Sequence, residues 1–510
     1  MKEDAMKNKV YLVGAGPGDP GLLSLKGKAC IEKADIIIYD YLASKELLKY
    51  ASVDAELIYV GKKGGDHTLS QDKINELIVD KAKQGFVVTR LKGGDPFIFG
   101  RGGEEAEELV KAGIDFEVIP GISSAYAAPA YAGIPLTHRQ FTSTVAFVTG
   151  HEDPNKSTSS VDWDALAKGM GTIVFLMGVK NLPTIVDRLI QCGKPAETPV
   201  ALVRWGTTLK QVTVSGTLAD IVENVNAAGL TPPCVIVVGN VVTLRQSMNW
   251  FEKKPLMGKK IVVTRARPQA SDFVGMLSDL GAACVEFPTI DICAAEEKEA
   301  LDRAIDTISN FNWIVFTSVN GVKFFFQRLF EKGLDSRALG GIRTASIGPA
   351  TQARLLSFGV RSDIVPDSYR AESVIDAFSN EEINGAEILL PRAGGARPIL
   401  PVELEKMGAR VHEIITYHAL PVSHNVDHLI SMLEKKTIDF ITFTSSSTVT
   451  NFKSLLPDDR FEELMAGVRV ASIGPITTET AEKLGFKVTL TADEYTIPGL
   501  TNAIRRYLGK

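Results

Sequence analysis

Two glycine-rich turns and one aspartate hold the residue types best suited to ligand chemistry. "VYLVGAGPGDPGLLSLKG", residues 10–27, sends an apolar run (Val10–Val13) into a burst of glycine and proline. "RLKGGDPFIFGRGGEE", residues 90–105, does the same after the run Phe86–Leu91, and Asp40 closes a third apolar stretch, "IIIYD". The first turn invites comparison with a dinucleotide-binding loop. Such a loop needs G-x-G-x-x-G entering a helix and an acidic residue about 20 positions on for the ribose. Gly14 and Gly16 fill the first two places and Asp40 stands at the ribose distance, but Asp19 occupies the third glycine's place. A carboxylate there repels a pyrophosphate, and Pro17 and Pro20 remove N–H donors from the anion nest. The spacing points to a ligand without pyrophosphate.

In the second turn, Gly93 and Gly94 let backbone approach a ligand closely, and Asp95 can accept from ribose hydroxyls or an ammonium group. A helix is predicted from about Gly103, with Glu104 and Glu105 favourable in its first turn. GGDP and GAGPGDP also serve as plain turns. Two such turns, each after a strand, argue for a binding wall.

These turns need an α/β scaffold to position them. Strand-like runs at Val10–Val13, Ile36–Tyr39, Phe86–Leu91, Ala146–Thr149, Thr172–Leu176, Val200–Val203 and Val235–Val238 alternate with helical patterns. The pattern breaks near residues 247–258, where charge, proline and glycine mix, and resumes at "KIVVTRARP". With 510 residues the chain exceeds one core and suggests about three or four structural domains. The second half repeats itself at nearly the same offset each time. Residues 313–329 match 439–456, residues 343–360 match 469–488, and residues 261–290 pair more loosely with 388–417. Two similar α/β lobes with a cleft between them follow, and two domain-sized copies are too few for a solenoid.

A net charge of -5 offers no electrostatic case for nucleic acid or an anionic membrane, so local arginines and backbone N–H groups must hold any acidic ligand. Five scattered cysteines without a CxxC pair argue for a reducing compartment, with neither a disulfide framework nor a cysteine metal site. No HExxH occurs among the seven histidines; His424 and His428, with Asp427 between them, fall four apart but lack a further ligand, and no metal is expected. The N-terminus has no apolar core of a signal peptide and no run of 18 apolar residues occurs, so a cytoplasmic protein without membrane contact is expected.

In order and spacing, "VGAGPGDPGLLSLKG", "VGKKGGDH", "RLKGGDPFIFGRGGEE", "GIPLTHR" and "FVTGH" resemble the uroporphyrinogen-III C-methyltransferases of the tetrapyrrole methylase family, over roughly residues 8–246. Residues 258–510 resemble uroporphyrinogen-III synthase through "VVTRARP", "FTSVNGV", "IGPAT", "IGPIT" and the two-lobe repeat. The fusion is coherent, because the synthase's product is the methylase's substrate. The implied fold class is α/β: a two-lobed tetrapyrrole methylase module (1–246, split near 120–140), a linker (247–257) and a two-lobed uroporphyrinogen-III synthase module (258–510). One synthase lobe would comprise about 258–292 and 420–510, the other about 293–419.

The resemblance implies methyl transfer from S-adenosylmethionine to carbons 2 and 7 of uroporphyrinogen III, giving precorrin-2 without a metal. Pro17, Gly93, Gly94, Asp95, Ile98, Ser123, Ser124, Met177 and Gly206 would cradle the adenosylmethionine. Where the family commonly has Thr-Ala, this chain has Ser123-Ser124, keeping the hydroxyl at the first position. Asp40 matches the family's proposed proton acceptor and Lys62 its proposed donor. Asp19, Arg101, His138 and Arg139 are candidates for substrate contact, or for ordering the loops.

For the second half the resemblance implies cyclisation of hydroxymethylbilane with ring D inversion and loss of water, without a cofactor. Tyr417 matches the tyrosine proposed to assist departure of the hydroxyl, and Thr477 matches a cleft threonine. Ser446 lies at the corresponding serine-rich strand end. Arg265 is a candidate carboxylate clamp, with Arg392 and Arg397 behind it. Partners would be the tetrapyrrole substrates and a second copy of the chain, as a homodimer through the methylase half. Two other readings are a methylase of another corrin intermediate with a non-catalytic tetrapyrrole-binding second half, and a non-catalytic sensor. The attached synthase weighs against the first, and retention of Asp40 and both glycine turns against the second.

Overall fold

The computed structural model describes residues 8–61, 69–151, 160–265, 267–367, 370–421 and 426–509. The chain is mixed α/β and divides into two compact units. One runs to Gly258 and takes in Asp279–Ala283; the other comprises Lys259–Ser278 and Cys284–Lys510.

The first unit contains two five-stranded sheets. Strands β1 (Val10–Gly14), β2 (Ile36–Tyr39), β3 (Glu56–Tyr59), β4 (Val88–Lys92) and β5 (Phe116–Ile119) form an all-parallel sheet in the order β3-β2-β4-β1-β5. Its two faces carry separate cores. Val13, Ile37 and Leu91 pack with the helix Leu25–Lys33, while Leu12, Ile38 and Val88 pack under the helices Gln71–Lys83 and Gly102–Lys111. Burial on both faces is why the central strands read as apolar runs. The second sheet, β6 (Val145–Thr149), β7 (Thr172–Leu176), β8 (Pro199–Arg204), β9 (Val212–Thr217) and β10 (Cys234–Val238), is ordered β6-β7-β10-β8-β9 and mixes directions. The helix Ser124–Tyr131 packs on it through Ala125 and Ala128.

Strand β4 starts two residues later than the apolar run suggests. Gly85 (φ 98°) turns the chain after a helix and leaves Phe86 outside the sheet, while β4 runs on through Arg90 and Lys92. Strands β3, β5 and β9 are edge strands with half-exposed residues, so no continuous apolar run marks them. The stretch 247–257, expected as a linker, is packed: Phe251 and Leu256 are buried, and Trp250 Nε1 donates to Ala130 O at 3.1 Å.

In the second unit, β11 (Lys260–Val263), β12 (Ala283–Glu286), β18 (Phe440–Phe443), β19 (Arg469–Ser472) and β20 (Val488–Thr491) form a sheet ordered β12-β11-β18-β19-β20. Strands β13 (Ile290–Ala294), β14 (Trp313–Phe316), β15 (Arg343–Ser346), β16 (Glu387–Ala393) and β17 (Arg410–Pro421) form another, β13-β17-β16-β14-β15. The sequence repeat maps β14 onto β18, β15 onto β19 and β16 onto β11. Matched strands hold matching places, so β17-β16-β14-β15 has the same order as β12-β11-β18-β19. The expected lobe boundaries at 292/293 and 419/420 cut through β13 and β17, which both belong whole to the second of these sheets (the inner one, its residues lying in the chain between the parts of the first, outer sheet); their antiparallel pairing, Ile290↔Pro421 to Ala294↔Tyr417, holds them there.

The outer lobe's core is aromatic. Phe452 is fully buried and meets Phe443 edge-on at 5.5 Å, with Phe486 beside both. Phe452→Ala should lower the unfolding free energy by about 3–5 kcal/mol, read by urea denaturation; a loss below about 1 kcal/mol would mean the lobe closes over the space.

Candidate functional site

Three strand ends of the first sheet meet where no side chain fits. A Cβ on Gly14 would lie 2.5 Å from Gly121 Cα and 2.7 Å from Gly94 O, and one on Gly121 would lie 2.3 Å from Gly94 O. Gly16 and Gly94, at φ 78° and 70°, exchange backbone hydrogen bonds of 3.2 and 2.7 Å. The turns after β1 and β4 thus lock together outside the carboxyl ends of the strands, where open α/β sheets bind ligands.

A cavity of about 580 Å³ opens there. From the first lobe it is lined by Gly16–Gly18, by Tyr41–Lys45 after β2 and by Gly93–Gly94. The second lobe supplies Ser124, the Leu176–Met177 strand end, Lys180, Trp205, Gly206 and the segment Pro232–Val235. Among the described residues its charged or basic side chains are Lys45, Lys180 and His151, and no carboxylate lines it. Met177, Trp205 and Thr207 hold left-handed backbone at φ 59°, 48° and 71°. Non-glycine residues there cost about 1 kcal/mol or more each and cluster at functional sites.

The structure brings Pro17, Gly93, Gly94, Ser124, Met177 and Gly206 together on this cavity. Asp95, Ile98 and Ser123 are not among its lining residues. Asp95 accepts from Phe97 N (2.8 Å) and Gly121 N (2.9 Å), so its carboxylate ties the turns rather than facing a ribose. Ser123 is buried, its hydroxyl capping the helix Ser124–Tyr131 through Ala125 N. Ile98 stands partly exposed. Asp19 likewise holds loops: it accepts from Gly21 N and from Tyr131 Oη (2.7 Å), and its own N–H donates to Thr207 Oγ1 (3.1 Å). Burial, and then Asp19, push the Tyr131 hydroxyl's pKa upward.

Asp40 follows β2, directly before the lining segment Tyr41–Lys45. Its Oδ1 accepts from Leu42 N at 3.1 Å and its Oδ2 from Arg90 Nη2 at 2.9 Å. Lys62 lies outside the described residues. Arg101, left-handed at φ 58°, is exposed and pairs with Glu104 at 2.7 Å, which raises its pKa and lowers that of Glu104. His138 bonds within its own turn, accepting from Gln140 N, and Arg139 is exposed; neither lines the cavity.

In the second unit both sheets change direction at the same place, between β16 and β14 and between β11 and β18, and such switch points form ligand crevices. Arg265 follows β11, and burial lowers its guanidinium's pKa. Ser446 opens the helix Ser446–Ser454 after β18 and takes a hydrogen bond from Thr480 Oγ1 at 2.8 Å. Thr480 and buried Thr477 belong to the helix Pro475–Lys483 after β19, so Ser446 and Thr477 open adjacent helices. Tyr417 lies on the other sheet. It is buried, stacked on Phe324, and its Oη meets Ser318 Oγ at 3.0 Å, the residue that caps the helix Val319–Glu331 after β14. Arg392 is buried with Nη2 donating to Arg397 O, whereas Arg397's own side chain is exposed. His428 lies on the helix Val426–Glu434, and His424 falls outside the described residues. Among the described residues no group of three or more His, Cys, Asp or Glu side chains could hold a metal, and no helix is long and apolar enough to cross a membrane.

Two α/β units, the first with a cavity at its strand ends and the second with a topological switch point in each sheet, define the class as a pair of α/β modules. Family models match as Tetrapyrrole (Corrin/Porphyrin) Methylases over residues 9–222 and Uroporphyrinogen-III synthase HemD over residues 271–502. A "Porphyrin biosynthesis protein HemD" of Ruminiclostridium josui is 35% identical over 495 residues, 97% of either chain. A uroporphyrinogen-III C-methyltransferase of Priestia megaterium is 55% identical over 234 residues, 46% of this chain and 98% of its own. A crystal structure of uroporphyrin-III C-methyl transferase from Thermus thermophilus, complexed with S-adenyl homocysteine, covers 46% of this chain and 99% of its own at 36% identity and a TM-score of 0.40. The chain belongs to the tetrapyrrole-biosynthesis family in which a uroporphyrinogen-III C-methyltransferase module precedes a uroporphyrinogen-III synthase module.

Motif reading did not single out Tyr41, Lys45, Lys180 or Trp205. For Tyr41 and Trp205 the signal was their place directly beside Asp40 and Gly206; Lys45 and Lys180 carried none. Gly121→Ala should destabilise the first unit by about 1–3 kcal/mol, because the new methyl meets backbone rather than a side chain able to yield. Thermal unfolding measures this, and an unchanged midpoint would mean that the crossing of turns is not rigid.

Proposed function

We propose that the chain is a bifunctional enzyme of tetrapyrrole synthesis. Its second half cyclises hydroxymethylbilane to uroporphyrinogen III with ring D inversion and loss of water. Its first half moves two methyl groups from S-adenosylmethionine to carbons 2 and 7 of that product, giving precorrin-2. One observation carries the methyl-transfer reading: a glycine-walled cavity whose charged lining is lysine, beside an aspartate held on both oxygens.

The residues present fit the adenosylmethionine. The cavity lies within the usual range for small-molecule sites, and Gly16–Gly18 and Gly93–Gly94 bring bare backbone to its wall. When bound, the sulfonium supplies an already activated methyl group, so the task left to the protein is alignment, worth on the order of 7–11 kcal/mol. Gly93, Gly94 and Gly206 would hold the donor, and Met177 would line the path to the pyrrole carbon. Lys45 and Lys180 suit the carboxylates of the tetrapyrrole. Asp40 would take the proton released after methylation, its orientation fixed by Arg90 and Leu42 N.

In the second half Tyr417 would donate to the departing hydroxyl. Its bond to a helix-capping serine supports that role, since the phenol is already oriented. The same reading includes a homodimer through the first half and a cytoplasmic location, the latter supported by five free cysteines.

Asp40→Asn should reduce precorrin-2 formation by about a hundredfold or more while S-adenosylhomocysteine binds unchanged by calorimetry; full turnover would remove Asp40 from its role. Tyr417→Phe should slow cyclisation by at least about tenfold and let uroporphyrinogen I accumulate through spontaneous closure, as product isomer analysis would reveal.

A further inference from the structure

Strand β4 is buried throughout yet carries two cations, Arg90 and Lys92, on one face. A buried parallel strand ordinarily carries Val, Ile and Leu there. Both cations converge on one oxygen of Glu105, with Lys92 Nζ at 2.7 Å and Arg90 Nε at 3.2 Å. Gln71 Nε2 adds a third donor at 3.1 Å. The Glu105 side chain is wholly buried, and its Oε2 has no hydrogen-bond partner among the described residues. Arg90 passes the contact on: Nη1 is steadied by the carbonyls of Leu91 and Ile38, and Nη2 reaches Asp40. Asp40 is the member that meets solvent, at 26% side-chain exposure against 0–5% for the other three.

Such a group adds little stability. A buried ion cluster can often be replaced by apolar residues of similar volume at no loss, whereas removing one member strands its partners. What the cluster provides is orientation. Arg90 cannot turn away from Asp40 without abandoning Glu105, and Glu105 sits on a different element, the helix Gly102–Lys111. Burial, and then the neighbouring Arg90, lower the pKa of Lys92, while Glu105 and Asp40 oppose that shift.

We propose that Glu105 is a positioning residue for Asp40, acting through Arg90, with Lys92 as the second cation that balances the buried group. This rests on the methyl-transfer reading of the first unit. Two anions and two cations form a neutral set, so changing either hidden charge alters the field at the exposed carboxylate. Among the described residues, the other titratable groups beside Asp40 are its chain neighbours Tyr39 and Tyr41 and, on β3 opposite Tyr39, Tyr59.

The test compares the pH dependence of kcat/KM for methylation of uroporphyrinogen III in the full chain and in E105Q and K92M. Calorimetric binding of S-adenosylhomocysteine is measured alongside. E105Q leaves excess positive charge behind Asp40 and should move the acid limb to lower pH by about half a unit or more. K92M removes a cation and should move it to higher pH by a similar amount. Opposite shifts with ligand binding retained support the assignment, since a merely structural role would not separate the two signs. Unmoved limbs, or shifts of one sign, overturn it. If E105Q does not fold, K92M decides alone, an upward shift supporting the assignment and its absence overturning it. A wild-type chain that binds adenosylhomocysteine but leaves uroporphyrinogen III unmethylated overturns the functional reading instead.

Discussion

Everything at the first unit's site depends on one steric constraint: Gly14 and Gly121 cross against the carbonyl of Gly94, where a methyl group on either has no room. Because they cross, the turns after β1 and β4 can bridge to each other, and Asp95 can reach Gly121 N from the far side of the turn. The cavity wall is therefore set by backbone, which does not change rotamer, rather than by side chains, which do. Asp40 sits at the end of the strand beside this crossing and inherits its rigidity through β4. The second lobe is joined to the same turn by Thr207 and Tyr131, both bonded to Asp19.

Ile36–Tyr39 and Thr172–Leu176 were legible residue for residue, whereas β4, equally buried, starts two residues after its apolar run because Gly85 turns the chain and leaves Phe86 outside the sheet. The edge strands Glu56–Tyr59 and Val212–Thr217 were not, because they mix exposed and half-buried positions and leave no periodic mark, whereas the edge strand Val145–Thr149 was read to within one residue. At the site, the glycine turns were legible as a wall, but the direction of the polar side chains on them was not. Asp19, Asp95 and Ser123 are short acceptors next to free N–H groups, and whether they serve a ligand or the loop is settled by backbone direction. The Arg90, Lys92 and Glu105 set was invisible for a different reason. Charged residues are read as surface until a fold buries them, and nothing in their spacing announces a shared oxygen.

The second unit shows how a repeat in sequence becomes a repeat in space. The two sheets place matched strands in the same order although the chain enters them at different points, so Ser318 and Ser445 cap helices at matched strand ends. The repeat predicted two lobes. The expected lobes, about 258–292 with 420–510 and about 293–419, put Tyr417 on one and Arg265, Ser446 and Thr477 on the other, and the two sheets divide them in that way.

The strand order of the outer lobe also bears on how the chain is made. Strand β11 pairs with β18, Ile261 beside Phe440, so its partner is synthesised long after it. The inner sheet, drawn wholly from residues between Ile290 and Pro421, is complete before β18 exists. On the ribosome the inner lobe can fold first, while β11 and β12 wait with an apolar edge uncovered. Pairings so distant in sequence are slow, and an exposed edge is where a nascent chain aggregates. The outer lobe is thus the part of the second unit that closes last as the chain is made.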